Sequence, residues 1–426
     1  MRSRSRRLRV AAGCAALLGV CALLGVIAYQ IPAVRNQVEY RWVNLRAQVV
    51  YALDPPEDVV FTPNPTVAAI VRATQSAPTV TPTPGPTQAP TSTQDPTLVP
   101  TPIPARVVLE GVRHEYQGWN NCGPATLSMG LSFWDWEGFQ GNVATWVKPN
   151  PRDKNVMPYE LVAFVEEETG LRALNRVGGS LELLRRLIAG GFPVIIEKGF
   201  EGIRFEGWMG HYLLLSGYDE AAGEFFAQDA YNGPNQRLPD DQLEAYWRHF
   251  NFTFLVIYPP EREDEVLGIL GPLADTDVAE QVAAQRASDD IFSLTGRDQY
   301  FAWFNRGSSL MLLQDYAGAA AAYDNAFALY PSISSDERPW RMLWYQTGPY
   351  FAYYFSERYY DVINLATITL GAMDEPVLEE SYYWRGLALE ALGDLTGAIE
   401  DYRASVEYHP DFGPGMDALD RLGAAP

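Results

Sequence analysis

Apolar and polar positions divide the chain into segments of different character. Residues 10–29 form an uncharged run of 20 residues, close to the roughly 20 that a helix needs to cross a bilayer. Residues 34–52 suit an amphipathic helix near a membrane surface, or equally a short core element. Between Pro78 and Pro104 there are nine prolines and eight threonines in 27 residues. Such a stretch lacks the apolar residues for a core and favours polyproline II at ~3.1 Å per residue. From about 106 to 260 the pattern mixes periods of 3.6 and 2. Helices are predicted over 124–134, 159–168, 181–189 and 240–248. Strands are predicted over 192–197, 212–217, 224–228 and 252–258. The second and third strands flank a five-residue loop ending in Gly223, an ordinary hairpin connection.

Beyond about 261 the chain reads as helical and repetitive. Trp303, Asn305, Gly307, Tyr316, Ala319, Tyr323, Ala326 and Pro331 fall at the spacing of a 34-residue helix-turn-helix repeat. Gly386, Gly393, Ala398, Tyr402 and Pro410 repeat that frame. One longer unit lies between, starting at Trp344 and Gly348 and continuing through Tyr359 or Tyr360. The pattern resembles the tetratricopeptide repeat family, which implies an extended surface for a protein partner. The aromatic group Tyr350, Phe351, Tyr353, Tyr354 and Phe355 reads as interlocking core rather than the floor of a peptide groove.

Charge narrows the function. The 426 residues carry 32 basic and 53 acidic side chains, which argues against nucleic acid as a partner because phosphate binding needs basic residues. Lysine occurs only at 148, 154 and 198, never after glycine, so there is no P-loop. Five arginines in the first nine residues predict that this end stays in the cytoplasm and the rest faces outward. An uncleaved anchor is expected, with a cleaved signal as the alternative.

Cys14 and Cys21 lie within the apolar run, which leaves Cys122 as the one cysteine elsewhere. Asn121-Cys122-Gly123-Pro124-Ala125 puts its sulfur at a helix start, where the helix dipole favours a thiolate. A small buried core residue is the competing reading. Of the four histidines, His409 and His249 read as surface or capping groups, and His114 lies in the segment approaching the cysteine. His211 opens a hairpin strand. Centring the hairpin loop at 221 puts Asp229 opposite or diagonal to it on one face, within imidazole–carboxylate reach. A pair kept for structure alone is the alternative. Asn232 would point to the other face. Gln117, five residues before Cys122, can aim an amide N–H at the space that the Cys122 backbone N–H also faces. No two His or Cys residues have metal-ligand spacing on one element, so neither a metal nor another cofactor is expected. Glu166, Glu167 and Glu168 read as a solvated helix face.

Gln117, the Asn121–Ala125 motif, the segment Gly210-His211-Tyr212-Leu213-Leu214-Leu215-Ser216-Gly217-Tyr218-Asp219 and Asp229 resemble the papain-like cysteine peptidases. The similarity is closest to the bacterial branch of bacteriocin-processing, double-glycine peptidases. Gly191-Phe192-Pro193-Val194-Ile195 and Gly233-Pro234-Asn235 are also of that type. The resemblance implies Cys122 as nucleophile, His211 as general base and then acid, and Asp229 as orienter. It implies Gln117 with the Cys122 amide as oxyanion hole. It also implies an α+β fold in which a helix carries the cysteine and an antiparallel sheet carries His211 and Asp229.

The expected organisation is a basic tail (1–9), a transmembrane anchor (10–29), a juxtamembrane segment (30–75) and a Pro/Thr-rich stalk (76–105). A papain-like domain (106–260), a helical connector (261–298), three tetratricopeptide repeats (299–414) and a tail (415–426) follow. The expected function is hydrolysis of peptide or protein amide bonds outside the cytoplasm, at the cell membrane. A catalytically silent scaffold acting through the repeats, or a cell-wall peptide amidase or transpeptidase, are the alternatives.

Overall fold

A computed structural model of the chain describes residues 32–64, 103–202 and 207–426, with isolated positions 19, 25, 26, 29 and 30. The expected basic tail, most of the membrane span and nearly all of the Pro/Thr stretch lie outside these residues. Among the described residues no helix is long and apolar enough to cross a membrane. Residues 1–55 and 56–426 are separate units. In the first, helix α1 spans Pro32–Leu53. Trp42, Leu45, Val49 and Leu53 are exposed while Ala47 and Tyr51 are buried.

The second unit contains a seven-stranded, wholly antiparallel sheet. Its strands are β1 (Arg106–Val108), β2 (Arg172–Arg176), β3 (Val194–Glu201), β4 (Trp208–Asp219), β5 (Glu224–Asp229), β6 (Gly233–Pro239) and β7 (Phe254–Tyr258). The order is β2-β7-β3-β4-β5-β6, with β1 also paired to β4. Side chains alternate between two cores. Ile195, Tyr212, Leu214, Leu255 and Ile257 face helices α2 (Cys122–Ser132), α3 (Gln140–Val147) and α4 (Pro158–Glu168). Val194, Ile196, Leu213, Leu215, Phe254 and Val256 share the other core with α5 (Leu181–Ala189), α6 (Asp240–Trp247) and α7 (Glu263–Leu270). Burial on both faces explains why these strands read as unbroken apolar runs. Helix α5 shows the local logic: Ser180 accepts from the Leu183 N–H at its start, and Leu183, Leu184, Leu187 and Ile188 make its buried face.

Helix α8 (Thr276–Ser293) leads into the repeats. The first pair is α9 (Gly296–Leu312) with α10 (Tyr316–Leu329). A single turn α11 (Met342–Tyr345) precedes the middle pair, α12 (Gly348–Phe355) with α13 (Tyr359–Gly371). The last pair is α14 (Glu379–Ala391) with α15 (Leu395–Tyr408). Gly307 and Gly386 play the same part in their repeats. A Cβ on either would lie 2.7 Å from the ring of Tyr323 or Tyr402 respectively, so only glycine lets the paired helices close. Asp315 and Asp394 likewise cap α10 and α15 by accepting from the backbone N–H three residues on. Tyr350 and Tyr353 are fully buried and Phe351 packs on Trp384 with ring centres 4.1 Å apart, the core role expected of the group, whereas Phe355 is exposed and stacks on Tyr316. Residues past 414 are not a loose tail but the greater part of a further helix, α16 (Gly413–Arg421), which buries Ala418 and Leu419 against the Tyr402 cluster.

Two placements differ from expectation. Residues expected to be a juxtamembrane lead-in reach the repeats: Phe61 is buried with its ring 4.9 Å from that of Phe327, and the Asn64 N–H donates to Asp361. At the other end of the Pro/Thr stretch, the Pro104 carbonyl accepts from the Tyr218 hydroxyl. His249, expected at the surface, is buried where the sheet meets the repeats. It stacks on Phe301 with ring centres 3.9 Å apart and planes at 19°, and accepts from Trp208 Nε1 at 3.0 Å.

Candidate active site

The site begins with the seat of α2 on the sheet. A Cβ on Gly130 would lie 3.2–3.5 Å from Ile257, Ile195 and Leu214, so glycine brings the helix close to β7, β3 and β4. Thr126 donates to the Tyr212 carbonyl at 3.2 Å. These contacts fix the helix start beside Tyr212, and Cys122 is its first residue, two earlier than the sequence pattern indicates. Cys122 is half-buried and free.

His211 and Asp229 are buried, and His211 Nε2 lies 2.9 Å from Asp229 Oδ1. Cys122 is the other side chain whose charge bears on the ring. Asp229 is held in turn by the backbone N–H groups of Tyr231 (2.8 Å) and Asn232 (3.0 Å), and by Asn232 Nδ2 at 2.7 Å. Asn232, set aside in the sequence reading because strand alternation turns it away, reaches back because the chain turns after Asp229. Phe200 of β3 covers the imidazole with ring centres 5.2 Å apart.

The electrostatics favour a charged pair. Burial pushes the Cys122 thiol up, but the His211 hydrogen bond and charge, the Tyr212 backbone and the Lys148 charge outweigh it. The thiol lies below its ordinary value. Burial also opposes charge on His211, yet the Asp229 and Cys122 hydrogen bonds and charges raise its proton affinity above the usual range. Burial would raise the Asp229 carboxyl too, but His211 and Asn232 bring it far below the carboxylate range.

Gln117 is placed less directly. Its backbone N–H donates to the Ala230 carbonyl at 2.8 Å, which ties its segment to the residue after Asp229. Its side-chain oxygen is buried with no partner among the described residues.

Three further groups feel the charge of Cys122. Lys148 is buried and donates to the Asn120 carbonyl at 2.8 Å; burial pulls its ammonium down to about 8. As one of three lysines in an arginine-rich chain it had a signal in the sequence, though one without an address. Glu197 stands opposite Tyr212 across β3–β4, and burial followed by the Cys122 charge pushes its carboxyl well up. Tyr345 arrives from the repeat side. A Cβ on Gly210 would lie 2.8 Å from its ring and 2.7 Å from that of Phe250, so the glycine before His211 is what admits this wall.

Residues 109–254 match the model of the Peptidase_C39 like family, and 300–333 and 379–412 match tetratricopeptide repeat models. A crystal structure of a C39-like peptidase from Bacillus anthracis covers 36% of this chain and 96% of its own, at 17% identity and a TM-score of 0.30, too slight a likeness to carry weight. No curated protein matches the chain. Residues 109–254 are a C39-like peptidase domain, and tetratricopeptide repeats follow it.

Proposed function

We propose that the chain is a cysteine peptidase whose repeats bring it a protein partner or substrate. The observation that carries this reading is the buried His211–Asp229 hydrogen bond of 2.9 Å together with Cys122, first residue of a buried helix, whose charge and that of His211 bear on each other. The Cys122 thiolate attacks the scissile carbonyl carbon, and the oxygen takes up the displaced electron pair. Gln117 and the Cys122 backbone N–H stabilise that oxyanion. The His211 imidazolium gives its proton to the leaving amine as the carbonyl re-forms, which leaves a thioester on Cys122. Neutral His211 then takes a proton from water, the hydroxide displaces the thiolate, and the acid product departs. Asp229 keeps the ring oriented and the imidazolium stable throughout.

Residues 10–29 act as a membrane anchor in this reading, with the arginines before them on the cytoplasmic side and the peptidase domain outside. The length and lack of charge of the run support this. The test is incubation of the full chain with a mixed peptide library, read by mass spectrometry beside Cys122→Ala. New termini formed by wild type alone support hydrolysis. An identical product list from both proteins would leave a peptidase-shaped scaffold, and amine-dependent products would mean transfer instead.

A further inference from the structure

Asp153, Glu379 and His409 come from three distant stretches: the loop after α3, the start of α14 and the residue after α15. A donor atom from each lies within 4.8 Å of the other two. Asp153 is 5% exposed and Glu379 3%. His409 Nδ1 meets Glu379 Oε1 at 2.8 Å. The other oxygen of that carboxylate, Oε2, is buried in the same place with no hydrogen-bond partner among the described residues. A buried carboxylate oxygen left unpaired is costly, so its position calls for a positive ligand.

The surroundings sharpen that demand. Glu160 and Glu380 also bear electrostatically on Glu379, and Glu160 further on Asp153's surroundings. The nearby lysines bear on Asp153 or Asp374, not on Glu379. Lys154 pairs with Asp374 at 3.4 Å, and Lys148 donates to the carbonyls of Asn120 and Asp153.

We propose that Asp153, Glu379 and His409 bind one divalent transition-metal ion that clamps the last repeat to the peptidase domain. Two carboxylates and one imidazole suit Mn²⁺ or Zn²⁺, with water completing the shell. Ca²⁺ takes six to eight oxygen ligands and Mg²⁺ prefers oxygen and water, so the imidazole selects against both. The same loop carries the Asp153 carbonyl, which accepts from Asn120 Nδ2 at 3.2 Å, and the Val156 carbonyl, which accepts from the Tyr212 hydroxyl at 2.9 Å. The ion would thus steady a wall next to Cys122. Such a site is illegible in the sequence because each ligand lies in a different stretch of the chain.

The experiment uses the full chain carrying Cys122→Ala, which removes the thiol as a rival ligand. Chelator-stripped protein is titrated calorimetrically with MnCl₂ and ZnCl₂, beside CaCl₂ and MgCl₂, and melted with and without each ion. One equivalent of Mn²⁺ or Zn²⁺ should bind and raise the melting temperature. Glu379→Gln and His409→Gln should each weaken that binding at least about tenfold, the scale on which metal sites respond to lost support. Both should lose the metal-induced shift while still melting cooperatively in chelator. Absence of saturable binding, equal response to Ca²⁺ and Mg²⁺, or undiminished binding in both variants would overturn the proposal.

Discussion

His211 Nε2 and Asp229 Oδ1 stand 2.9 Å apart because β4 carries one residue more than β5 between them. The hairpin pairs Asp219 with Glu224 and Gly217 with Phe226. Continued unchanged, that register would set Asp229 across from Leu214, an odd step from His211 and so on the opposite face. A bulge at Ser216 resets it: Leu215 faces Ala227 and Leu214 faces Gln228. Asp229 then falls level with Leu213, two residues and one diagonal from His211. The Ser216 carbonyl accepts from the Leu109 N–H at 2.7 Å, which gives the bulge an anchor outside the hairpin.

Asp229→Asn keeps the shape of this contact and removes its charge. The His211 imidazolium loses its first support and the Cys122 thiolate loses part of its counter-ion. A rise of the thiol by one to two units, within the range one nearby charge produces, would slow alkylation at pH 6 on the order of ten- to a hundredfold. Iodoacetamide kinetics with circular dichroism as a folding control measure this.

The wall formed by Tyr345 predicts an energetic coupling. Gly210→Ala forces a methyl against the Tyr345 and Phe250 rings and should cost about 1–3 kcal/mol, as overpacking does. Tyr345→Ala removes one of the two obstructing rings. The double variant should therefore lose less stability than the two single losses added together, by more than ~0.5 kcal/mol. Urea unfolding of the four proteins gives that number.

His249 gives the fold a dependence on pH. Burial lowers its proton affinity to about 4 against the Asp298 contact, from an unfolded value of about 6.5. The folded form thus resists a proton that the unfolded chain accepts. The stability concerned is fully present above about 6.5 and is lost as pH falls toward 4, amounting to about 2–3 kcal/mol. Asp229 carries the same sign over a lower range, since its carboxyl is depressed. His249→Phe should flatten the stability profile between pH 6 and 4, which denaturant titrations at several pH values would register.

Phe61 predicts that a segment far upstream stabilises the repeats. Truncating its buried ring beside Phe327 and Tyr353 by Phe61→Ala should cost about 3–5 kcal/mol. If thermal melting of the full chain were unchanged, residues 56–64 would not be docked there.

Much of this was legible because local pattern and tertiary role agree. Leu181–Ala189 was readable to the residue from its amphipathic face. Gly307 and Gly386 marked repeats because a single steric requirement recurs. Cys122, His211 and Asp229 were legible as a set, yet the arithmetic that paired the last two placed the loop centre half a residue early, and the Ser216 bulge happened to compensate. β2, β6 and α3 escaped notice: Arg172–Arg176 and Gly233–Pro239 are polar edge strands without alternation, and Gln140–Val147 is short. His249, Lys148, Glu197 and Tyr345 were illegible as neighbours of the site because each depends on a contact between distant elements.

The most direct test of the account is the rate at which iodoacetamide alkylates Cys122 in the full chain as pH is varied, with His211→Ala alongside. The account predicts rapid reaction well below the ~8.5 of a free thiol, and a shift of the midpoint up toward that value in the variant. Free-thiol behaviour in both proteins, or an inert Cys122, would contradict it.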